Sequence, residues 1–462
     1  MIALTLAEVA EAVGGALADV VDPQARVGGA VADSRLVQPG DLFVAVAGER
    51  VDGHDFAAGA VRDGAVAVLG TRPLGVPTVV VDDPVAALGR LAAAVLDRLP
   101  DATVVALTGS SGKTSTKDLL AQVVILRGPV VAPEGSFNTE VGLPLTVLRA
   151  DDETRTLVLE MGARGVGHIA YLCGIARPDV AAVLNVGSAH LGEFGGREAI
   201  ARAKGEIVEA LPPDGTAVLN ADDPLVAAMS SRSGGRVLTF GESPGADVRA
   251  EDVRLDDLAR PSFRLVVGAD SAPVTMRLHG EHQVANALAT AAAAHALGIP
   301  VADVATALSA ATTRSRWRME VTETADGVTV VNDAYNANPE SVRAALKALV
   351  AMAGGRRTWA VLGEMRELGP DTLTEHDAIG RLAVRLDVSR LVAVGEGARA
   401  LHLGAAHEGS WGEESTWVPD TDAAIALLLE QVRPGDVVLV KASRAVGLER
   451  VAAALLEREG PA

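Results

Sequence analysis

The chain has 462 residues, of which 49% are hydrophobic and only 3% aromatic, and its formal net charge is −19. That charge disfavours nonspecific nucleic-acid binding and docking on an anionic membrane surface, and no run reaches the ~20 uninterrupted apolar residues of a membrane span. The length suggests about three domains of ~150 residues, with cores built from Ala, Val and Leu.

The opening Met1-Ile2-Ala3-Leu4-Thr5 has no basic stretch and no long apolar core, so no secretory leader is expected. The single cysteine, Cys173, has no partner for an internal disulfide and is expected to pack as a small hydrophobe. A cytoplasmic enzyme without nucleic-acid partners fits these features, and a monomer is expected. Lys and Arg total 41, yet only five are lysines: 113, 117, 204, 347 and 441. Arginine serves wherever any cation will do, so a retained lysine points to a need for its compact, deprotonatable amine. Lys347, in Ala344-Ala345-Leu346-Lys347-Ala348-Leu349, reads as a solvated helix position.

Residues 1–82 form a first unit. Leu6–Val13 has the spacing of an amphipathic helix, and the apolar runs 42–46 and 65–69 are bounded by Gly, Pro and Asp. Two polar clusters, Asp33-Ser34-Arg35 and Asp52-Gly53-His54-Asp55, read on their own as turns. Asp83-Pro84 has the form of a helix start, cap then first turn, and opens a second unit over 83–313. Its strands are expected at 104–107, 157–160, 180–185 and 217–220, alternating with helices, hence a mainly parallel sheet.

The central feature is Thr108-Gly109-Ser110-Ser111-Gly112-Lys113-Thr114-Ser115, between an apolar strand and a helix. Glycines let backbone close around a phosphate, and the first helical N–H groups point at it. In such a loop Lys113 reaches the terminal phosphates and the Thr114 hydroxyl sits on Mg²⁺. Ligands of a parallel sheet bind outside the carboxyl ends of its strands. Glu160 ends one strand there, His190 follows another, and Lys204 lies in a helical run. Glu160 offers the hard oxygen that Mg²⁺ prefers, and His190 a nitrogen ligand more typical of transition metals. Alone, Glu160 also reads as a solvated strand end and His190 as a capped turn residue.

Only two residues separate Gly109 from Gly112, where the general phosphate loop has four. This short form resembles the ATP loop of the Mur ligase family and of folylpolyglutamate synthases. Further runs resemble the D-Ala-D-Ala-adding branch of the Mur ligases. They are Asp33-Ser34-Arg35 with Asp52-Gly53-His54, then Gly135-Ser136-Phe137-Asn138-Thr139-Glu140, Leu159-Glu160-Met161-Gly162-Ala163, Asn185-Val186-Gly187-Ser188-Ala189-His190 and Ala203-Lys204-Gly205-Glu206. His279–Leu288 opens an Ala-rich helix, Ser315-Arg316-Trp317-Arg318 enters a third unit over 314–462, and Tyr335-Asn336-Ala337-Asn338-Pro339 is the most diagnostic run.

The resemblance implies an α/β fold of three domains. These are a small N-terminal UDP-sugar-binding unit, a central P-loop ATPase-like unit and a C-terminal Rossmann-like unit. It implies ATP bound by Gly109, Ser110, Ser111, Gly112, Lys113, Thr114 and Ser115, with Asn286 on the adenine, Asp333 on the ribose and Arg318 near the phosphates. Two Mg²⁺ ions are implied, one on Thr114 and one on Glu160, His190 and a carbamylated Lys204. Lys113, Lys204, His190 and Arg318 are the implied catalytic set. Ser34, Arg35, Asn138, Thr139, Tyr335 and Asn336 would bind substrate. The loops at 363–365, 395–397 and 441–444 would face an incoming dipeptide. Thr139, Trp317 and Ala442 depart from the family pattern, which has Asn, Gly and Gly. The implied reaction joins D-alanyl-D-alanine to the carboxylate of a UDP-N-acetylmuramoyl-tripeptide. A related ligase or a nonhydrolysing nucleotide-binding regulator shares the loop. Tyr335–Pro339 argues against the first, and the intact set of 113, 114, 160, 190 and 204 against the second.

Overall fold

The structure, a computed structural model, describes residues 1–48, 51–187, 194–409 and 414–458. Among these, three principal sheets follow one another along the chain.

The first has five strands. Gly29–Val31, Asp41–Val44, Ala67–Gly70 and Thr78–Val80 run parallel, and Ala16–Ala18 closes one edge antiparallel. The helix Leu6–Val13 starts at a capping box between Thr5 and Glu8 and buries Leu6, Val9, Ala10 and Val13. That face does not stay within the unit. It packs on the helix Pro84–Leu96, and the two belong to one core that continues under the central sheet through Leu157, Leu159 and Ile207. The Arg90 guanidinium adds two bonds to the Val13 carbonyl, at 3.0 and 2.8 Å. The expected start at Asp83-Pro84 is realised, with the Asp83 carboxylate accepting from the N–H groups of Val85 and Ala86.

The central sheet has nine strands. Seven are parallel, in the spatial order Val130–Val131, Thr156–Glu160, Thr103–Thr108, Val180–Val183, Thr216–Asn220, Arg236–Gly241, Val248–Leu255. Pro261–Val267 and Asp270–Thr275 extend it antiparallel, an addition the β/α reading did not contain. From Thr103–Thr108 the chain goes first to one side of the strand and then to the other. That reversal opens the crevice at the strands' carboxyl ends. The P-loop helix Lys113–Val124 and the Ala-rich helix Gln283–Ala296 cover one face, burying Leu119, Leu120, Val123, Ala287 and Leu288.

The third sheet has six strands. Thr329–Asn332, Val437–Lys441, Thr358–Gly363, Arg390–Val394 and Ser415–Val418 are parallel, with Glu320–Glu323 antiparallel at one edge. It has a core on each face, one of which also takes in Ala259 of the central unit, and it meets that unit again through the segment 312–319 and across the crevice. The helix Pro339–Ala353 starts at a second capping box, with Asn338 accepting from Ser341 and Pro339 in the first turn.

Candidate active site

The glycine-rich turn leaves the central strand at Thr108 and enters its helix at Lys113. Gly112 has φ +78°, and a Cβ there would lie 2.5 Å from Asn286 Oδ1. Only glycine fits that close approach in a left-handed backbone. Asn286 is itself fixed. Its Oδ1 accepts from Thr116 Oγ1 at 3.2 Å and its Nδ2 donates to Gln283 Oε1 at 2.9 Å. The N–H groups of Ser110 and Ser111 donate to Asn185 Oδ1 at 3.0 and 2.9 Å, and the Ser110 hydroxyl accepts from Gly187 N at 2.9 Å. Asn338, from the C-terminal unit, donates to the Ser110 carbonyl at 3.2 Å. Ser115 sits half-buried in the first helical turn. Lys113 Nζ lies back on its own loop, donating to the Gly109 carbonyl at 2.7 Å. Burial pushes this amine below the ordinary lysine range; Glu160 opposes the shift and Arg318 adds to it.

Thr114 is the meeting point. Its Oγ1 donates to Glu160 Oε2 at 2.9 Å and lies 2.9 Å from Ser136 Oγ. The other Glu160 oxygen accepts from Asn138 Nδ2 at 2.7 Å. Arg318 Nη2 comes from the third unit to donate to both Thr114 Oγ1 and Ser136 Oγ at 3.2 Å, with its guanidinium 4.2 Å over the Tyr335 ring. Arg318 Nε is buried and has no partner among the described residues, which leaves a cationic donor for a ligand. Lys204, on the helix Arg197–Glu209, is buried and bears no hydrogen bond or ion pair among the described residues. Burial drives its pKa well below the lysine range, and the charge of Lys113 drives it further.

These groups line one cavity of about 280 Å³, together with Asn138, Thr139, Tyr335 and Asn336. Thr139 spends its hydroxyl on a turn, accepting from Gly142 N at 3.3 Å. The donors gathered around Thr114 are hydroxyl and carboxylate oxygens, a set that fits Mg²⁺. A buried lysine whose pKa burial lowers, in the same cavity, fits carbamylation, since it is the free amine that adds CO₂. His190 lies outside the described residues.

Other expected site residues lie elsewhere. Ser34 and Arg35 form a short turn capped by Asp33, and Arg35 is paired with Asp33 at 2.6 Å and largely exposed; neither lines the cavity. Their mutual bond holds the Asp33 carboxyl at about 2. His54 is buried in a turn, bonded to Asp52 and to Thr71 N, as the turn reading has it. Asp333 is bonded to Lys441 Nζ at 2.6 Å and accepts from Met319 N at 3.1 Å. Lys441 therefore points into the unit, not toward an incoming substrate as its strand-end position suggested. Trp317 keeps the left-handed φ, +58°, that glycine takes easily, and Arg444 stacks on its ring at 4.1 Å. Ser136 and Asn185 belong to the site as well, beyond the residues that the sequence assigns a role. Both stand within hydrogen-bonding reach of the phosphate loop and its helix; for Asn185 the signal available was its place just past the end of the strand Val180–Val183.

Residues 107–294 match a family model for the Mur ligase middle domain, 317–444 the Mur ligase glutamate ligase domain, and 27–96 the Mur ligase family catalytic domain. The UDP-N-acetylmuramoyl-tripeptide–D-alanyl-D-alanine ligase of Mycobacterium bovis is 52% identical, over 99% of this chain and 98% of its own. The enzyme of that name from Bacillus subtilis is 34% identical over 99% of both. A crystal structure of MurF from Acinetobacter baumannii superposes with a TM-score of 0.89 at 33% identity, covering 99% of each chain. A MurF ligase from Thermotoga maritima in complex with ADP gives 0.80 at 34%, over 93% of this chain and 97% of that one. With matches in all three units and relatives of this identity along its whole length, the chain belongs to the Mur ligase family.

Proposed function

We propose that this chain is an ATP-dependent ligase that joins D-alanyl-D-alanine to the C-terminal carboxylate of UDP-N-acetylmuramoyl-tripeptide, a step of peptidoglycan precursor synthesis in the cytoplasm. The observation that carries the reading is the convergence on Thr114 of a carboxylate from the same sheet, Glu160, and a guanidinium from the third unit, Arg318. Names and identity of the relatives support the choice of substrates.

A carboxylate is a poor electrophile, so the sugar peptide must be activated before an amine attacks it. The γ-phosphoryl group of ATP passes to the carboxylate, giving an acyl phosphate; the dipeptide amine attacks its carbonyl, and inorganic phosphate leaves. The turn through Gly109, Ser110, Ser111 and Gly112, its Ser110 and Ser111 N–H groups tied to Asn185, closes around the phosphates. The N–H groups of the first helical turn point at them, and Lys113 swings from the Gly109 carbonyl onto them. Arg318 brings its free Nε donor to the transferring group. Asn286 and Asp333 hold adenine and ribose, while Asn138, Thr139, Tyr335 and Asn336 orient the peptide. Ser34 and Arg35, on the first unit, hold the UDP end. Thr114 would hold one Mg²⁺, and Glu160, His190 and a Lys204 carbamate a second; bound there, the ions would supply positive charge to the phosphate and carboxylate oxygens. Closure of the third unit on the cavity excludes water from a hydrolysable intermediate. We take the units to be 1–82, 83–313 and 314–462, acting within a monomer.

The test is mass analysis of the product made from ATP, the sugar tripeptide and D-Ala-D-Ala. A product heavier by one dipeptide less one water, with one ADP per bond, is expected. Incorporation of a single amino acid in place of the dipeptide would refute the assignment.

A further inference from the structure

Lys117 is one of the five lysines, is 1% exposed, and has no part in the chemistry above. It lies one turn beyond Lys113 on the P-loop helix. Its Nζ donates to the Pro133 carbonyl at 2.7 Å and pairs with Asp118 Oδ1 at 2.5 Å. The second oxygen of Asp118 accepts from Ser315 N at 2.9 Å. One turn on, Gln122 brackets Thr312, accepting from its N–H at 3.1 Å and donating to its carbonyl at 3.0 Å.

The two segments held this way are the ones that reach Thr114. Pro133 is three residues before Ser136, and Ser315 three before Arg318. Ser136 and Arg318 then meet each other and Thr114 at 2.9 and 3.2 Å. Trp317 and Met319, on either side of Arg318, both have positive φ, +58° and +50°. Such a backbone persists only where its surroundings over-determine it. A buried ion pair is weak as a source of stability, because desolvation offsets the attraction. What an apolar pair in its place could not do is bond a carbonyl of one segment and an N–H of another.

We propose that Lys117 and Asp118 are positioning residues of the ligase reaction: together they fix the loop carrying Ser136 and the linker carrying Arg318 against Thr114. The proposal rests on the ligase reading, because that reading gives Thr114 and Arg318 their roles.

The test is a double-mutant cycle with Lys117→Met, Arg318→Ala and the pair of them, with kcat and KM measured for all three substrates. Lys117→Met is expected to lower kcat about 30-fold with each KM within about threefold, since a misplacement of about an ångström costs up to about a hundredfold in rate. Lys117 reaches Arg318 through Asp118 and the Ser315 N–H, and Ser136 through the Pro133 carbonyl. The part of its effect that runs through Arg318 is absent from the double variant, whose loss is expected to fall well short of the product of the two single losses. Losses that multiply would overturn the proposal, and so would a Lys117→Met enzyme with wild-type kcat. The isosteric Asp118→Asn goes through the same cycle with the same criteria, so the result does not hang on one variant folding. A wild-type protein that makes no dipeptide product would count against the ligase reading instead.

Discussion

Gly112→Ala isolates what the glycine-rich turn contributes. An alanine at φ +78° costs roughly 1 kcal/mol of backbone strain. Its Cβ would sit 2.5 Å from Asn286 Oδ1, well inside contact distance, and Asn286 is buried. Moving that side chain aside breaks its bonds to Thr116 and Gln283, at about 1 kcal/mol net for each. The sum, about 3 kcal/mol, corresponds to roughly a hundredfold in an equilibrium constant. Both the folded loop and the nucleotide site depend on the same contact. The variant is therefore expected to show that cost once, as a melting point roughly 5–10 °C lower where the strained loop is kept, or as ADP binding up to about a hundredfold weaker in a calorimetric titration where the loop yields and must be restored on binding. Gly75→Ala is the control. It has φ +69° with nothing within 4 Å of the added methyl, so it carries the backbone strain without the clash. It should leave ADP binding unchanged. If Gly112→Ala binds ADP as the wild type does and melts within a degree of it, the clash with Asn286 does not govern the loop.

Three further outcomes are expected. Trp317→Gly removes a left-handed non-glycine residue but also the stack under Arg444, two effects of about 1 kcal/mol that oppose each other. Ligase activity within about threefold of wild type is expected, and a loss near two orders of magnitude would show that the indole itself holds Arg318. His376 is buried with its Nε2 accepting from Met365 N and its Nδ1 donating to the Thr372 carbonyl, and burial lowers its pKa from the usual histidine range. The unfolded chain therefore binds a proton that the fold resists. Stability is full above the unfolded pKa of about 6.5 and falls as pH drops through it toward the folded value. Melting curves from pH 7 to 5 should show this fall, and His376→Gln should flatten it; parallel curves would contradict the assignment. Cys173 is buried beside Met161, and burial, with Glu206 nearby, pushes its thiol up to about 12. Native protein at pH 8 should leave a thiol reagent unreacted until denaturant is added. Rapid modification of the native chain would place Cys173 at the surface.

The sequence made the phosphate loop readable because its requirements are local. Gly112 needs a left-handed backbone, Lys113 and Thr114 stand at fixed steps from it, and the strand before and helix after are written in apolar periodicity. Glu160 was readable by a weaker rule, its place at the end of a parallel strand, and the structure sets it on Thr114. What could not be read depends on partners far away in the chain. Lys441 looked like a strand-end residue facing substrate, yet Asp333, 108 residues distant, turns it inward. Lys117 stood out in the sequence as one of five retained lysines, but its partners appear only when Pro133 and, through Asp118, Ser315 are folded onto it. The first helix was legible as amphipathic, but periodicity does not say what an apolar face packs on. It packs on Pro84–Leu96, merging the first unit's core with that of the central sheet. The antiparallel strands at 261–267 and 270–275 lack a helix between them, so a β/α alternation has no place for them.

The central claim is that ATP activates the carboxylate of the sugar tripeptide, and it is tested most directly with that carboxylate labelled with ¹⁸O. After turnover with ATP and D-Ala-D-Ala, an acyl phosphate intermediate leaves one labelled oxygen in the released phosphate. That transfer is the result predicted here. Unlabelled phosphate, with the label retained in the peptide or lost to water, would contradict it.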